Sequence, residues 1–221
     1  MLVPLIERFT IPKPFGKEGK IMNGKIIKDA LILFLITVIA GLGLGAVYGI
    51  TKAPIEKANY NIQQNAYRTV FPDADAFNDM DGFDSEKATE AAAAAGYADD
   101  TIENCVVAVD ASGAELGYVI SVTDPNSYGG DVTLSIGVTN DGTLNGYSIT
   151  TINDTAGLGM KAKEDSFSSQ FAGKQVESFE VTKTGATSDN QIDAISGATI
   201  TSSAVTSAVN AGLAYYRSLA Q

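Results

Sequence analysis

The sequence predicts an α+β protein: a single N-terminal transmembrane helix, then an antiparallel-sheet domain that ends in a C-terminal helix. Three observations carry this. Residues 30–51 contain no charged side chain. Two pairs of β-rich runs, 104–110 with 116–123 and 131–139 with 143–151, are each joined by a turn signal. Near the C-terminus Val205, Ala208, Val209, Gly212, Leu213, Tyr216 and Leu219 recur at helical spacing.

Residues 1–29 read as a basic cytoplasmic tail punctuated by proline and glycine, with Lys25-Ile26-Ile27-Lys28 leading into the helix. The 22 residues of 30–51 rise about 33 Å as a helix, enough for a hydrocarbon core of about 30 Å. The run is too long for the apolar centre of a signal peptide. With the basic side kept in the cytoplasm, the reading is a single-pass anchor with an extracytoplasmic domain. Gly41, Gly45 and Gly49 fall on one helix face. Glycine is common in membrane spans, and such a stripe also lets a partner helix approach closely.

Residues 52–100 read as a helical connector and an acidic segment. Pro54 suits a first turn, Ile55, Ala58, Ile62, Ala66, Thr69 and Val70 form an apolar stripe, and Pro72 stops the helix. Asp73, Asp75, Asp79, Asp81 and Asp84 lack a twelve-position loop closed by a bidentate Glu, so 73–90 reads as solvated surface rather than a calcium loop.

The domain proper is placed at 101–221. Ala111-Ser112-Gly113-Ala114 and Asn140-Asp141-Gly142 turn the two hairpins, and Asn126–Asp131 reads as a loop between them. A short helix is expected over 164–172, an edge-like strand over 176–182 and a polar stretch over 183–190. No internal repeat is visible.

Composition narrows the chemistry. The net charge is -11, with residues 1–29 at +3 (six basic, three acidic) and the remainder at -14 (nine basic, 23 acidic). A nucleic-acid partner for the main domain needs the opposite sign. One cysteine and no histidine leave no intrachain disulfide, cysteine-held cluster, zinc site or histidine acid–base catalyst. Cys105, within Cys-Val-Val-Ala-Val, reads as a core residue. Redox chemistry in this chain requires an organic cofactor.

The stretch Asp193-Ala194-Ile195-Ser196-Gly197-Ala198-Thr199-Ile200-Thr201-Ser202 sits where the C-terminal helix begins. On local pattern alone it reads as an N-cap. A helix start also offers unpaired N–H groups and a favourable dipole to a phosphate. Upstream, Thr155-Ala156-Gly157-Leu158-Gly159 carries two glycines that permit close backbone approach, but it lacks the third glycine of a dinucleotide fingerprint.

Asp-x-x-Ser-Gly-Ala-Thr resembles the flavinylation motif of FMN-binding-domain proteins, namely the G-type subunit of the Rnf electron-transport complex and the C-type subunit of the sodium-pumping NADH:quinone reductase. The resemblance extends to the Thr-x-Gly-Leu-Gly segment and the membrane anchor. It implies FMN held through a phosphoester on Thr199, with Ser196, Gly197, Ala198 and Thr201 near the phosphate. The flavin ring is then expected against Thr155, Gly157, Leu158 and Gly159, with Tyr128 of Tyr-Gly-Gly as a neighbour. The family's loop reads Glu-Thr-Pro-Gly-Leu-Gly. Asp154 and Ala156 depart from it, and the shorter Asp154 loses one methylene of reach toward the ring.

The same resemblance implies an electron-transfer component of an ion-translocating ferredoxin:NAD oxidoreductase in a prokaryotic plasma membrane, with no catalytic or metal residues of its own. Its partners would be other membrane subunits, reached through the transmembrane helix, and a flavin transferase that moves FMN from FAD. Asp193 would serve recognition by that transferase, or the turn. Three other readings remain at this point: the quinone-reductase component, a stand-alone extracellular flavoprotein reductase, and a non-redox anchored assembly or adhesion module whose Ser-Gly-Ala-Thr only caps a helix. Thr201 also stays open beside Thr199 as the attachment point.

Overall fold

The computed structural model describes residues 24–219, so the basic segment 1–23 lies outside the described residues. The chain divides into two compact units with the boundary after Ile55. Helix α1 (Gly24–Val70, 47 residues) starts six residues before the uncharged run and crosses that boundary as one element. Pro54 lies inside it rather than in the first turn of a second helix. Its missing N–H removes a single backbone bond, which a helix of this length tolerates. α1 is the one described helix long and apolar enough to cross a membrane. Its apolar side chains from Ile26 to Ile50 are exposed, as lipid-facing residues must be in the isolated chain.

The second unit begins with the last turns of α1. Of the stripe expected there, Ala66 and Val70 are buried, together with Tyr67, while Ile55 and Ile62 are exposed. Helix α1 stops at Val70 because Phe71 precedes Pro72, and the residue before proline is pushed out of the helical region.

The segment 73–90, expected to be solvated acidic surface, also holds one strand and the start of a helix. Strand β1 (Ala76–Asp79) pairs with β2, and helix α2 (Ser85–Ala94) is capped by Asp84, whose carboxylate accepts from the N–H groups of Glu86 and Lys87 at 3.1 and 3.3 Å. β1 is four residues long without a β-branched side chain, and α2 buries only Ala88 and Ala92, so neither leaves a periodic apolar signal.

Five strands form one antiparallel sheet in sequence order: β1, β2 (Thr101–Val109), β3 (Glu115–Ser127), β4 (Gly130–Thr139) and β5 (Leu144–Thr151). The segment 126–131, expected as a loop, is a tight hairpin, because β3 and β4 pair out to Ser127 and Gly130. Strand alternation splits the sheet into two faces. Ile120, Val122, Leu134, Ile136 and Val138 point into the main core, whereas Val106, Ala108 and Val119 pack with Tyr67, Val70 and Phe71 on the other side.

Beyond β5 come a 3-10 turn (Gly159–Lys163) and α3 (Asp165–Ser168), shorter than the helix expected over 164–172. Strands β6 (Glu180–Thr182) and β7 (Gln191–Asp193) pair in parallel, so the expected 176–182 strand shrinks to three residues with a partner outside the main sheet. Helix α4 (Thr199–Leu219) lies on the main core face with Val205, Ala208, Val209 and Leu213 buried. Each fully buried Val or Leu contributes about 1.5–3 kcal/mol, which fixes the start of α4 against β3 and β4.

Candidate functional site

The start of α4 has no side-chain cap. Ala198 occupies the cap position, since its carbonyl accepts the first helical bond from Ser202 N–H at 3.0 Å, and its methyl group cannot accept a bond. Ser202 is drawn the other way: its hydroxyl donates to Ala198 O at 3.0 Å and accepts from Ile195 N–H at 2.9 Å. The N–H groups of Thr199, Ile200 and Thr201 therefore have no partner among the described residues. The expected N-cap is absent, and the helix keeps three open donors at its positive end.

The two candidate threonines differ sharply. Thr201 is 0% exposed and its hydroxyl donates to Asp154 Oδ2. Thr199 is half-buried, and its hydroxyl makes no hydrogen bond among the described residues. It lines a groove of about 550 Å³ together with Tyr128, Leu158, Gly159, Gly197 and Ile200.

Asp154 organises this corner. Oδ2 also accepts from the Ser127 hydroxyl at 2.9 Å, and Oδ1 accepts from Gly129 N–H at 2.7 Å. One carboxylate thus ties the β3–β4 hairpin, the loop after β5 and the first turn of α4 together. It faces inward, and its shorter reach suits that internal role. Gly159 must lack a side chain here, because a Cβ would run into Asp154 Oδ2 and stand 2.6 Å from Thr201 Oγ1. Gly197 adopts φ +77°, a left-handed turn that directs the chain into α4.

The groove has an apolar rim. Outside α1, the large hydrophobic side chains exposed among the described residues are Tyr128 (69%), Leu158 (42%) and Ile200 (56%), and all three line it. Water-facing apolar groups gathered around one concavity mark a binding surface for a flat apolar ligand. Open N–H donors at one end and an apolar rim at the other fit a group with an anionic tail and an aromatic ring system.

Of the residues singled out from sequence, Tyr128, Thr155, Leu158, Gly159, Gly197, Ala198, Thr199 and Thr201 meet in this groove. Gly157, at φ +75°, shapes the loop, and Ser196 is exposed beside it without lining the cavity. Asp193 offers an exposed side chain, while Gln170 holds its backbone through bonds at 2.7 and 3.3 Å. Sequence reasoning missed Ile200 as a rim residue and Asp154 as a clamp. An exposed isoleucine in a first helical turn is the signal that could have revealed Ile200.

Comparison with known proteins gives this geometry its context. The family model for the FMN-binding domain matches residues 127–214, a span that contains every groove residue. The G-type subunit of the Na+-translocating ferredoxin:NAD+ oxidoreductase complex of Acetobacterium woodii is 32% identical over 208 residues, covering 93% of this chain and 99% of that protein. The chain belongs to the family of G-type subunits of ion-translocating oxidoreductase complexes. A second member, from the proton-translocating ferredoxin:NAD+ oxidoreductase complex of Clostridium ljungdahlii, is 34% identical over 82% of this chain and 90% of its own. A crystal structure of the C-type subunit of the Na+-translocating NADH-quinone reductase of Parabacteroides distasonis superposes with a TM-score of 0.46 at 23% identity, over 65% of this chain and 76% of that one. Membership of the G-type family agrees with α1 as a membrane anchor and with an FMN-binding domain over residues 127–214.

Proposed function

We propose that this protein carries FMN as a phosphoester on Thr199 Oγ1 and serves as an electron relay within an ion-translocating ferredoxin:NAD oxidoreductase of the Rnf type. The observation that carries the reading is the contrast between hydroxyls. Thr199 is unpartnered on the groove, while Thr201 and Ser202 are committed to the protein interior.

The chain's own residues then have defined tasks. The open N–H groups of Thr199, Ile200 and Thr201 hold the anionic phosphoryl oxygens. Tyr128, Leu158 and Ile200 cover an aromatic ring system and keep water from its faces. Asp154, by fixing Thr201 and the hairpin, keeps the groove walls in register before anything binds. FMN, when bound, supplies electron transfer that no side chain of this histidine-free chain offers.

Among the described residues no base hydrogen-bonds to the Thr199 hydroxyl, and an unassisted hydroxyl is a weak nucleophile. Attachment is therefore assigned to a separate flavin transferase, for which the exposed Asp193 carboxylate is a recognition point. In this reading residues 1–29 lie in the cytoplasm and the flavin domain outside, with Gly41, Gly45 and Gly49 facing a helix of another membrane protein of the complex. The excess of Lys and Arg on the N-terminal side of the anchor supports that orientation.

The test is to produce the full chain in its host, denature it and follow flavin fluorescence with the polypeptide. The intact mass should increase by FMN less water. Thr199→Ala should abolish the increase and Thr201→Val should retain it. An unmodified, colourless protein from the host would overturn the reading. Gly45→Leu should remove the chain from its membrane complex without loss of flavin, and normal co-purification would refute the helix contact.

A further inference from the structure

A second groove, of about 370 Å³, lies along the first turns of α4 and is lined by Asp124, Asn126, Thr199, Ile200, Ser203 and Ser207. Two buried carboxyls back it. Asp100, in the turn before β2, is 1% exposed, and Asp124, near the end of β3, is 2% exposed. Strand alternation puts Asp124 on the same face as Ile120 and Val122, toward α4.

Neither carboxyl has a salt bridge among the described residues. Facing the pair are Ser203 and Ser207 from α4, Asp99 from the turn before β2 and Asn126 from β3, with the charge of Asp100 acting on Tyr97 and Arg217 of α4 acting in turn on Tyr97. Ser207 donates to Asp100 Oδ2 at 2.7 Å, and Asn126 N–H donates to Asp124 Oδ1 at 2.7 Å. Asp100 Oδ1 is buried and has no partner, the single such oxygen among the described side chains.

Two unpaired anions side by side in a buried position are untenable, and one shared proton removes both the like-charge repulsion and the orphaned oxygen. Burial first, and then the Asp124 charge, push the Asp100 carboxyl up to about 7 against the bond from Ser207. Burial likewise raises Asp124.

We propose that Asp100 and Asp124 form a proton-binding site coupled to α4. The pair shares one proton, held on Asp100 Oδ1 and donated to Asp124, and its affinity for that proton rises when anionic charge sits on residue 199. This rests on the proposed function only for the identity of that charge, the phosphoester. The groove connecting Asp124 with Thr199 supplies the proximity. Added negative charge at its far end disfavours the doubly ionised pair, so the titration midpoint moves to higher pH.

The test uses the full chain in detergent with aspartate labelled at the side-chain carboxyl carbon, followed by infrared and NMR titration. One aspartic acid should remain protonated near neutral pH and ionise as pH rises. Its signal should vanish in Asp100→Asn, and Asp124→Asn should shift the Asp100 titration downward. Thr199→Glu should titrate at higher pH than Thr199→Gln, and flavin-carrying wild type at higher pH than Thr199→Ala. Absence of a neutral-range carboxyl overturns the proposal, as does its persistence in Asp100→Asn. Equal midpoints for Thr199→Glu and Thr199→Gln overturn it too. Because that last pair needs no flavin, failure of flavin attachment, read from intact mass, is a separate result.

Discussion

Asp154 and Asp100 are both buried carboxyls within reach of the first turns of α4, and the protein treats them in opposite ways. Asp154 receives three donors from three segments: Thr201, Ser127 and the Gly129 N–H. Asp100 receives one, from Ser207, and keeps an oxygen unpaired. A carboxylate that accepts from several well-placed donors acts as a fixed joint. A carboxyl with too few donors resolves its burial by holding a proton. One side of the helix start is therefore locked and the other is titratable, with Thr199 between them lining both grooves.

The largest loss is expected from Asp154→Ala. It strands two buried hydroxyls and a backbone N–H, and at about 1–3 kcal/mol for each unsatisfied donor, partly recovered by water, we expect about 3 kcal/mol of destabilisation. Chemical denaturation of the full chain in detergent measures it. The flavin attachment proposed for Thr199 should fall as well, because Thr201 loses its anchor and the helix start loosens. A loss below about 1 kcal/mol, the scale of one ordinary hydrogen bond, would mean that Asp154 is not the joint described here.

Gly159→Ala attacks the same joint from outside. The added methyl group meets both Asp154 Oδ2 and Thr201 Oγ1, and neither end is free to swing away because they bond to each other. Overpacking of this kind costs about 1–3 kcal/mol. The same substitution at Gly157, where a Cβ has open space, meets only the backbone strain of φ +75° and should cost about 1 kcal/mol. Equal losses at the two glycines would remove the argument for close approach at Gly159.

The two carboxyls also mark where sequence reading succeeds and where it stops. Strands β2 to β5 and helix α4 are legible because alternation and helical spacing are local patterns, written in neighbours such as Val205, Ala208 and Val209. The flavin motif is legible because its residues are contiguous. The different surroundings of Thr199 and Thr201 are not, because Thr201 is held by Asp154, 47 residues before it. The pairing of Asp100 with Ser207 spans 107 residues, and nothing near either residue announces it. β1 and α2 were hidden for another reason: short, alanine-rich or acidic segments bury few large side chains, so their placement depends on a sheet edge and a core built elsewhere.

The smallest effect expected is also the one whose sign is most informative. Folded Asp100 sits near 7 instead of its ordinary 3.8, so between those values the folded chain binds more protons than the unfolded one. Stability therefore falls as pH rises through that window and levels off above it. Asp100→Asn keeps an acceptor for Ser207 and gives Asp124 a permanent donor, so its stability relative to wild type should rise between about pH 5 and pH 8. Thermal melts of both proteins across that range decide it. Asp154→Asn should lose stability across the same range, because an amide replaces one of the two acceptor oxygens that serve Ser127, Thr201 and the Gly129 N–H. A gain there would mean that the three donors do not need two acceptor oxygens, and that Asp154 is no more a joint than Asp100.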